Sequence, residues 1–515
     1  MLWGFNLRVG LLHGCSFTDY DHEMNGSRII LNSKVKHFCF RLFAVLIGLF
    51  PFVLLEFGLS LAEVGQSASK GDPFVEFLNS QPLFVLDKER KQMTIASFRR
   101  EFFAHDEFPV EKKPGTYRIF CLGGSTVQGR PYSIQTSFPT WLKLGLEAAE
   151  PNINWEVINC GGVSYASYRL LPIMQECLKY EPDLFIICTG HNEFLEDRSY
   201  TQVKGIPDWS KTTINQLSKL RTVSAATSFF KDQQQNKPIL PTDADAILNY
   251  KNGLAAYHRD PEWNEAIAEH FNSIIRRMMS LCQKADVPLL MMLPPSNLSG
   301  TVPFKSETEN TTQFDEQVVQ ELKDEARSHY RTDLKQSVVL WKHVCLIDEF
   351  TASNHFELGK CLEILNRFEE ARAAYLKARD LDVCPLRMTS SLEKVLLSVT
   401  QETQTPIINL HQIFQDKSDH LILGDRWLVD HVHPNFEGHQ QIAFTIGRWL
   451  EEERVVELSQ DWEAECQLIF KTHFESLDRT YFHKGQRALQ GLKLWTQGNA
   501  DGPPVEKKFP HLLRN

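Results

Sequence analysis

Five short, predominantly apolar runs punctuate the chain: Tyr117 to Leu122, Trp155 to Cys160, Leu184 to Thr189, Val287 to Leu293 and Pro406 to Leu410. Short runs in which apolar residues dominate predict strands buried on both faces, as parallel strands are. Between them apolar positions recur at helical spacing, which predicts helices over Phe138 to Ala149, Ser167 to Lys179 and Pro261 to Ala285, with another after Asn435. Alternating β and α calls for an α/β fold, a parallel sheet of about five strands flanked by helices on both faces. In such sheets ligands sit outside the carboxyl ends of the strands, so the loops after each strand are where chemistry is expected.

The alternation breaks between the fourth and fifth runs. His355 to Pro385 reads as one helix-turn-helix unit, with Leu358-Gly359, Leu362, Ala371, Tyr375 and Ala378 at the small and apolar packing positions of a tetratricopeptide repeat and Pro385 close behind. A single repeat cannot bury its apolar face alone, so Glu316 to Val344 and Ser390 to Leu397 are expected as neighbouring helices. A plain helical hairpin with no partner is the competing interpretation. Arg454 to Gln497 also has helical spacing and is expected to pack onto this insert. The stretch from Leu195 to Asp260 is of mixed polarity; leaving the third strand, it could be a lid or a structural loop. A loop-like lead-in rich in Phe and Pro precedes the first run.

Near the amino terminus, Leu42 to Leu55 carries no charge and the apolar character continues past Glu56 to Ala62, long enough for a membrane-crossing helix. Lys34, Lys36 and Arg41 precede it and Glu63 and Asp72 follow, a bias that places the amino terminus in the cytoplasm and the rest outside. A cleaved signal peptide, with Ser60-Leu61-Ala62 as a small-x-small site, is the alternative. The expected segments are therefore 1–37, a cytoplasmic amino-terminal piece; 38–63, a single-pass anchor; and 64–115, a lead-in linker.

Composition narrows the function. With 42% hydrophobic and 23% charged residues the chain has the mixture of a globular protein. Lys and Arg total 55 against 65 Asp and Glu, with no long basic run, which argues against a nucleic-acid partner. Eleven cysteines without a CxxC or His/Cys cluster point to neither a structural zinc site nor a disulfide scaffold. Cys121, Cys160 and Cys188 lie in the apolar runs, where a thiol packs as a small hydrophobe.

Three loops carry candidate chemistry. Leu122-Gly123-Gly124-Ser125-Thr126 follows the first run, and its small residues permit a tight turn that presents Ser125. Gly190-His191-Asn192-Glu193 follows the third and puts an amide at the same edge. Asp430-His431-Val432-His433-Pro434-Asn435 places a carboxylate three residues before an imidazole, so one turn can bring Asp430 to His433 while the other ring nitrogen faces a serine. Metal binding by His431 and His433 competes, but HxH supplies two ligands and no third stands at helical spacing. Arg130, Tyr132, Asn297 and Arg387 sit beside these loops, and ordinary hydrogen bonding explains each as well as a role at the site.

In order and context these blocks resemble the SGNH, or GDSL-type, hydrolase family, and in particular its bacterial membrane proteins carrying tetratricopeptide repeats. Gly123-Gly124-Ser125 matches the first block, Gly190 to Glu193 the third and Asp430 to His433 the fifth, while the second falls in Asn159 to Tyr165. The acidic residue of the GDS signature is Gly124 here, which removes a structural carboxylate but no proton-transfer group. The resemblance implies a flavodoxin-like sheet in two parts, 116–304 and 403–452, a helical insert over 305–402, carboxyl-terminal helices over 453–515, and a catalytic domain in the periplasm, anchored in a bacterial inner membrane.

It also implies Ser125, Asp430 and His433 as the catalytic set, and an oxyanion site made by the N–H of Ser125, the Asn192 amide and a second-block N–H from Gly162 or Ser164, with Gly162 preferred. No metal or cofactor is called for. The expected activity is hydrolysis of an O-acyl ester, such as an acetyl group on an envelope or extracellular glycan. An O-acyltransferase with the same residues, or a scaffold whose insert binds a protein, is the alternative.

Overall fold

The computed structural model describes residues 79–196, 253–308 and 313–496, with scattered positions in 41–58 and 239–249. Residues 1–67 and 216–229 cluster as a unit of their own, in which the described positions 41, 43, 50, 51, 54, 55 and 58 are helical. The rest of the expected anchor lies outside the described residues, among which no helix is long and apolar enough to cross a membrane.

The centre of the main unit is a five-stranded parallel sheet. Preceding it in the chain are β1 (Phe84–Asp87), β2 (Gln92–Ile95) and β3 (Glu107–Pro109); its own strands are β4 (Thr116–Gly123), β5 (Asn154–Gly161), β6 (Leu184–Cys188), β7 (Leu289–Leu293) and β8 (Ile407–Asn409). Their spatial order is β8-β7-β6-β4-β5, all pairings parallel. Chain direction across the sheet therefore reverses between β4 and β6, and the crevice at such a switch point is where α/β sheets bind ligands.

Side chains alternate across the sheet with a period of two, and each face builds its own core. Phe120 and Leu122 of β4, with Ile158, Phe185 and Met291, join α3 (Ser167–Cys177) and α4 (Pro261–Ala285). Ile119 and Cys121, with Ile186 and Met292, join α2 (Phe138–Ala149) on the opposite face. Cys121, Cys160 and Cys188 are buried free thiols in these cores.

Several expectations are corrected. The lead-in is not loop-like: β1, β2 and β3 form an antiparallel sheet whose Phe84, Met93, Ile95 and Phe108 belong to the first core. Strands of three or four residues are too short for their alternation to stand out in sequence. Four helices make up the insert, α5 (Gln313–His329), α6 (Leu334–Ile347), α7 (Ala352–Ile364) and α8 (Phe368–Asp380), packed around Trp341, Phe356, Leu362 and Tyr375. Glu316 to Val344 is thus two helices, broken where Asp333 accepts the Gln336 N–H at the start of α6. The following helix, α9 (Ser390–Thr403), meets the insert at its polar start, where Arg379 of α8 bonds to Ser390 and Glu393, but its apolar face turns elsewhere: Leu392, Leu396 and Val399 pack into the first core beside α4, making it the crossover that returns the chain to β8.

After β8 come α10 (Leu410–Asp416) and α11 (Phe436–Glu452), then α12 (Trp462–Ser476) and α13 (Arg479–Thr496). Against expectation α12 packs on the sheet's second face rather than on the insert: Trp462, Cys466 and Phe470 join Trp141 and Phe444 there. Of the 195–260 stretch, Leu195, Ile247, Leu248 and Tyr257 pack against Val383, Cys384 and Leu386, while 197–238 lies outside the described residues.

Candidate active site

β4 ends at Gly123, where a Cβ would lie 2.3 Å from the Cys188 carbonyl oxygen of the neighbouring strand and 2.2 Å from a Val127 methyl. Only glycine allows so abrupt a departure from the sheet. Gly124 stays extended, and Ser125 begins the one-turn helix α1 (Ser125–Gln128). The first N–H groups of a helix have no partner within it. Among the described residues the Ser125 N–H meets no acceptor.

The Asp430 turn is closed by backbone. The Val429 N–H donates to the His433 carbonyl at 2.9 Å and the Asn435 N–H to the Trp427 carbonyl at 2.9 Å. Within it, Asp430 Oδ1 accepts from the N–H groups of Val432 at 2.9 Å and His433 at 2.8 Å. Oδ2 is 2.7 Å from His433 Nδ1, and His433 Nε2 is 2.8 Å from Ser125 Oγ. Asn435 then accepts the Gly438 N–H at 2.8 Å and starts α11, which fixes the turn to a rigid element. Residues 308 positions apart in the chain so form one line of hydrogen bonds.

Burial works to raise the Asp430 carboxyl, but the facing histidines and the N–H groups it accepts outweigh burial and hold it well below the usual carboxylate range. The carboxylate is ionised at neutral pH, and an ionised partner at Nδ1 fixes the tautomer that leaves Nε2 as the proton acceptor toward Ser125. His431 is different. Its Nδ1 is 3.6 Å from Asp430 Oδ1, yet burial brings it down to about 4, so it is neutral and forms no ion pair at neutral pH. Its ring lies edge-on to Phe304 and to His433. His191 is also buried, pushed well below its ordinary range by burial and by His431 and His433, and its Nδ1 accepts the Met388 N–H at 3.1 Å.

Asn192 donates one amide N–H to the Tyr165 carbonyl at 3.1 Å. The two candidates for the second-block donor separate. Gly162 N–H is already spent on the Gly123 carbonyl, at 2.9 Å, extending the β4–β5 ladder. Ser164 sits in the left-handed region at φ 64, between Val163 and Tyr165, whose N–H groups bond to Phe102 and Gly162. Among the described residues the Ser164 N–H has no acceptor. The preference for Gly162 is therefore corrected: sheet register, which sequence does not display, decides which amide is left over.

The flanking candidates divide as well. Arg130 bonds to Gln128, and Tyr132 packs against Phe436, Tyr481 and Phe482. Arg387 is buried, donating to the carbonyls of Asn297 and Thr301. Asn297 is completely buried and bonded to the Asp430 backbone. Glu193, one residue past Asn192, accepts the Ser167 N–H at 2.8 Å and its hydroxyl at 3.0 Å, tying the third block to the start of α3. That tie has no signature in the sequence beyond adjacency to Asn192.

No family model matches the chain, and no curated protein matches it. Solved structures do. An acetylxylan esterase from Geobacillus stearothermophilus is 12% identical, with a TM-score of 0.29, over 64% of this chain and 93% of its own. A protein from Desulfitobacterium hafniense described as lipolytic and of the G-D-S-L family is 10% identical, with a TM-score of 0.28, over 64% of this chain and 98% of its own. An α/β hydrolase from the metagenome of Lake Arreo, Spain, is 11% identical, with a TM-score of 0.28, over 63% and 91%. At such TM-scores the likeness settles neither fold nor reaction.

Proposed function

We propose that the protein is a serine hydrolase of O-acyl esters that works through an acyl-enzyme. One observation carries this: His433 stands between an ionised Asp430 at 2.7 Å and the Ser125 hydroxyl at 2.8 Å, both within hydrogen-bond reach in the resting protein. His433 Nε2 takes the Ser125 proton as Oγ attacks the ester carbonyl carbon, and Asp430 stabilises the imidazolium that forms. Charge collecting on the carbonyl oxygen is met by the N–H groups of Ser125 and Ser164 and by the Asn192 amide. His433 returns the proton to the departing alcohol; water, activated by the same nitrogen, then releases the acid and restores Ser125. Each step uses side chains and backbone of this chain alone.

The substrate belongs to the proposal too: an acyl group, such as acetyl, on a hydroxyl of an envelope or extracellular glycan. The apolar stretch 42–62 and the charge bias around it support a single-pass anchor with this unit outside the cytoplasm. The test is hydrolysis of p-nitrophenyl acetate and longer esters by the purified full-length chain, beside Ser125→Ala and His433→Ala. Turnover lost in both variants, with fluorophosphonate labelling of Ser125 in the wild type alone, is the expected result. A wild type that neither turns over nor labels overturns the proposal.

A further inference from the structure

Between the carboxyl end of β7 and the Asp430 turn stands a completely buried amide whose every polar atom is committed. Asn297 Nδ2 donates to the Asp430 backbone carbonyl at 3.0 Å and to Asp425 Oδ1 at 2.7 Å. Its Oδ1 accepts the Gly300 N–H at 2.8 Å, and its own N–H donates to the His431 carbonyl at 3.0 Å. The carbonyl of Asn297 accepts from Arg387 Nη1 at 2.8 Å, and Arg387 also reaches the Thr301 carbonyl at 3.1 Å and Asp382. Asp382 in turn receives the N–H groups of Phe304 and Lys305. Arg387 lies on the segment by which the chain leaves the insert, so the insert's exit is tied to the turn that carries Asp430 and His433.

Resting on the hydrolase reading, we propose that Asn297 is a positioning residue of the reaction: it grips the Asp430 turn from both sides, at the carbonyls of Asp430 and His431, and Arg387, delivered by the insert, holds Asn297 in place. The backbone bonds that close the Asp430 turn fix its shape, but its distance from β4, and hence from Ser125, is set by what holds it to the sheet. Asn297 is such a hold because it lies four residues past the end of β7, two strands from β4. A shift of about 1 Å in a catalytic group can cost on the order of 100-fold in rate without loss of substrate binding. A merely structural amide would cost stability instead.

The experiment uses the full-length protein and p-nitrophenyl acetate, with wild type, Asn297→Ala, Asn297→Asp and the double variant Asn297→Asp/Asp425→Asn. In Asn297→Asp a carboxylate faces both Asp425 and the Asp430 carbonyl. The double variant restores a donor–acceptor pair between 297 and 425 but not the bond to Asp430. Expected are a kcat about 10- to 100-fold lower in Asn297→Ala with KM within about twofold, and a double variant whose thermal midpoint recovers while its kcat does not. Recovery of kcat together with the midpoint, or an Asn297→Ala enzyme of wild-type kcat, overturns the positioning role alone. A wild type without serine-dependent turnover overturns the hydrolase reading, and the inference falls with it.

Discussion

Asn192 occupies the space that a side chain at Gly124 would need: a Cβ there would come within 2.7 Å of Asn192 Nδ2. A side chain at Gly124, where the GDS signature has its acidic residue, would thus displace the Asn192 amide. Gly124→Ala must push the amide away, and Gly124→Asp, which would write the GDS signature into this chain, must push it further. We expect both variants to fold and label more slowly with fluorophosphonate, with kcat down about 10- to 100-fold. Faster turnover in Gly124→Asp would show that the amide is not needed where it stands.

Removing that amide outright gives a sharper test. Asn192→Ala leaves the Ser125, His433 and Asp430 bonds untouched and, on the proposed mechanism, takes away one donor to the developing oxyanion. The expected loss is about 100- to 1,000-fold in kcat with KM little changed. Steady-state kinetics on p-nitrophenyl acetate measure it, and a loss confined to KM would place Asn192 in substrate binding instead.

Asp430→Asn isolates the orienting carboxylate. The side chain keeps its shape but offers His433 Nδ1 an amide, and the tautomer that leaves Nε2 free is no longer favoured. The loss expected at neutral pH is on the order of 10,000-fold in kcat, by analogy with other serine triads. Retention of more than a tenth of the activity would sink the assigned role.

Much of this was legible because it is local. The strands of the parallel sheet stand out as predominantly apolar runs, and Asp430 and His433 lie within one turn, so residue identity and spacing suffice. What was hidden depends on partners far along the chain. Ser164 rather than Gly162 is left with an unbonded N–H because of how β5 registers on β4. The apolar face of α9 announces that it is buried, but nothing in Leu392, Leu396 or Val399 says against which layer. Asn297 showed only its place beside the candidate loops, because the groups it bonds in the Asp430 turn are backbone carbonyls that any residue would supply.

The carboxyl-terminal docking makes a stability prediction. Trp462 is buried, its indole N–H donates to the Gly145 carbonyl at 2.9 Å, and its ring meets the faces of Gly145 and Gly447 so closely that a Cβ at Gly447 would lie 2.2 Å from it. Trp462→Ala should cost about 3–5 kcal/mol, and Gly447→Ala about 1–3 kcal/mol by overpacking. Urea denaturation measures both. If neither midpoint moves, α12 is not part of the core of this unit.

Buried neutral histidines set the acid sensitivity. His411 and His439 accept the N–H groups of Ser296 and Phe138 through Nδ1, and burial brings both down to about 3 from an ordinary 6.5. Between those values the unfolded chain binds protons that the folded one refuses, so stability falls as pH drops, by up to about 1.4 kcal/mol per unit for each group. Asp106 and Asp382 act with the opposite sign. Burial pushes them up to about 6 from 3.8, so in that interval the folded state holds the extra proton and their contribution declines as pH rises. They offset His411 and His439 between about 4 and 6, but His191 and His431, also held down by burial, add to the decline there. Below about 4 that offset is exhausted, and Asp430, held low in the fold, begins to lose its contribution as well. The unfolding free energy should therefore decline as pH falls below about 6.5 and more steeply below about 4. His439→Asn, which keeps an acceptor near the place of Nδ1 without a titrating ring, should flatten the decline. Parallel curves for this variant and the wild type in urea midpoints across that range would remove His439 from the account.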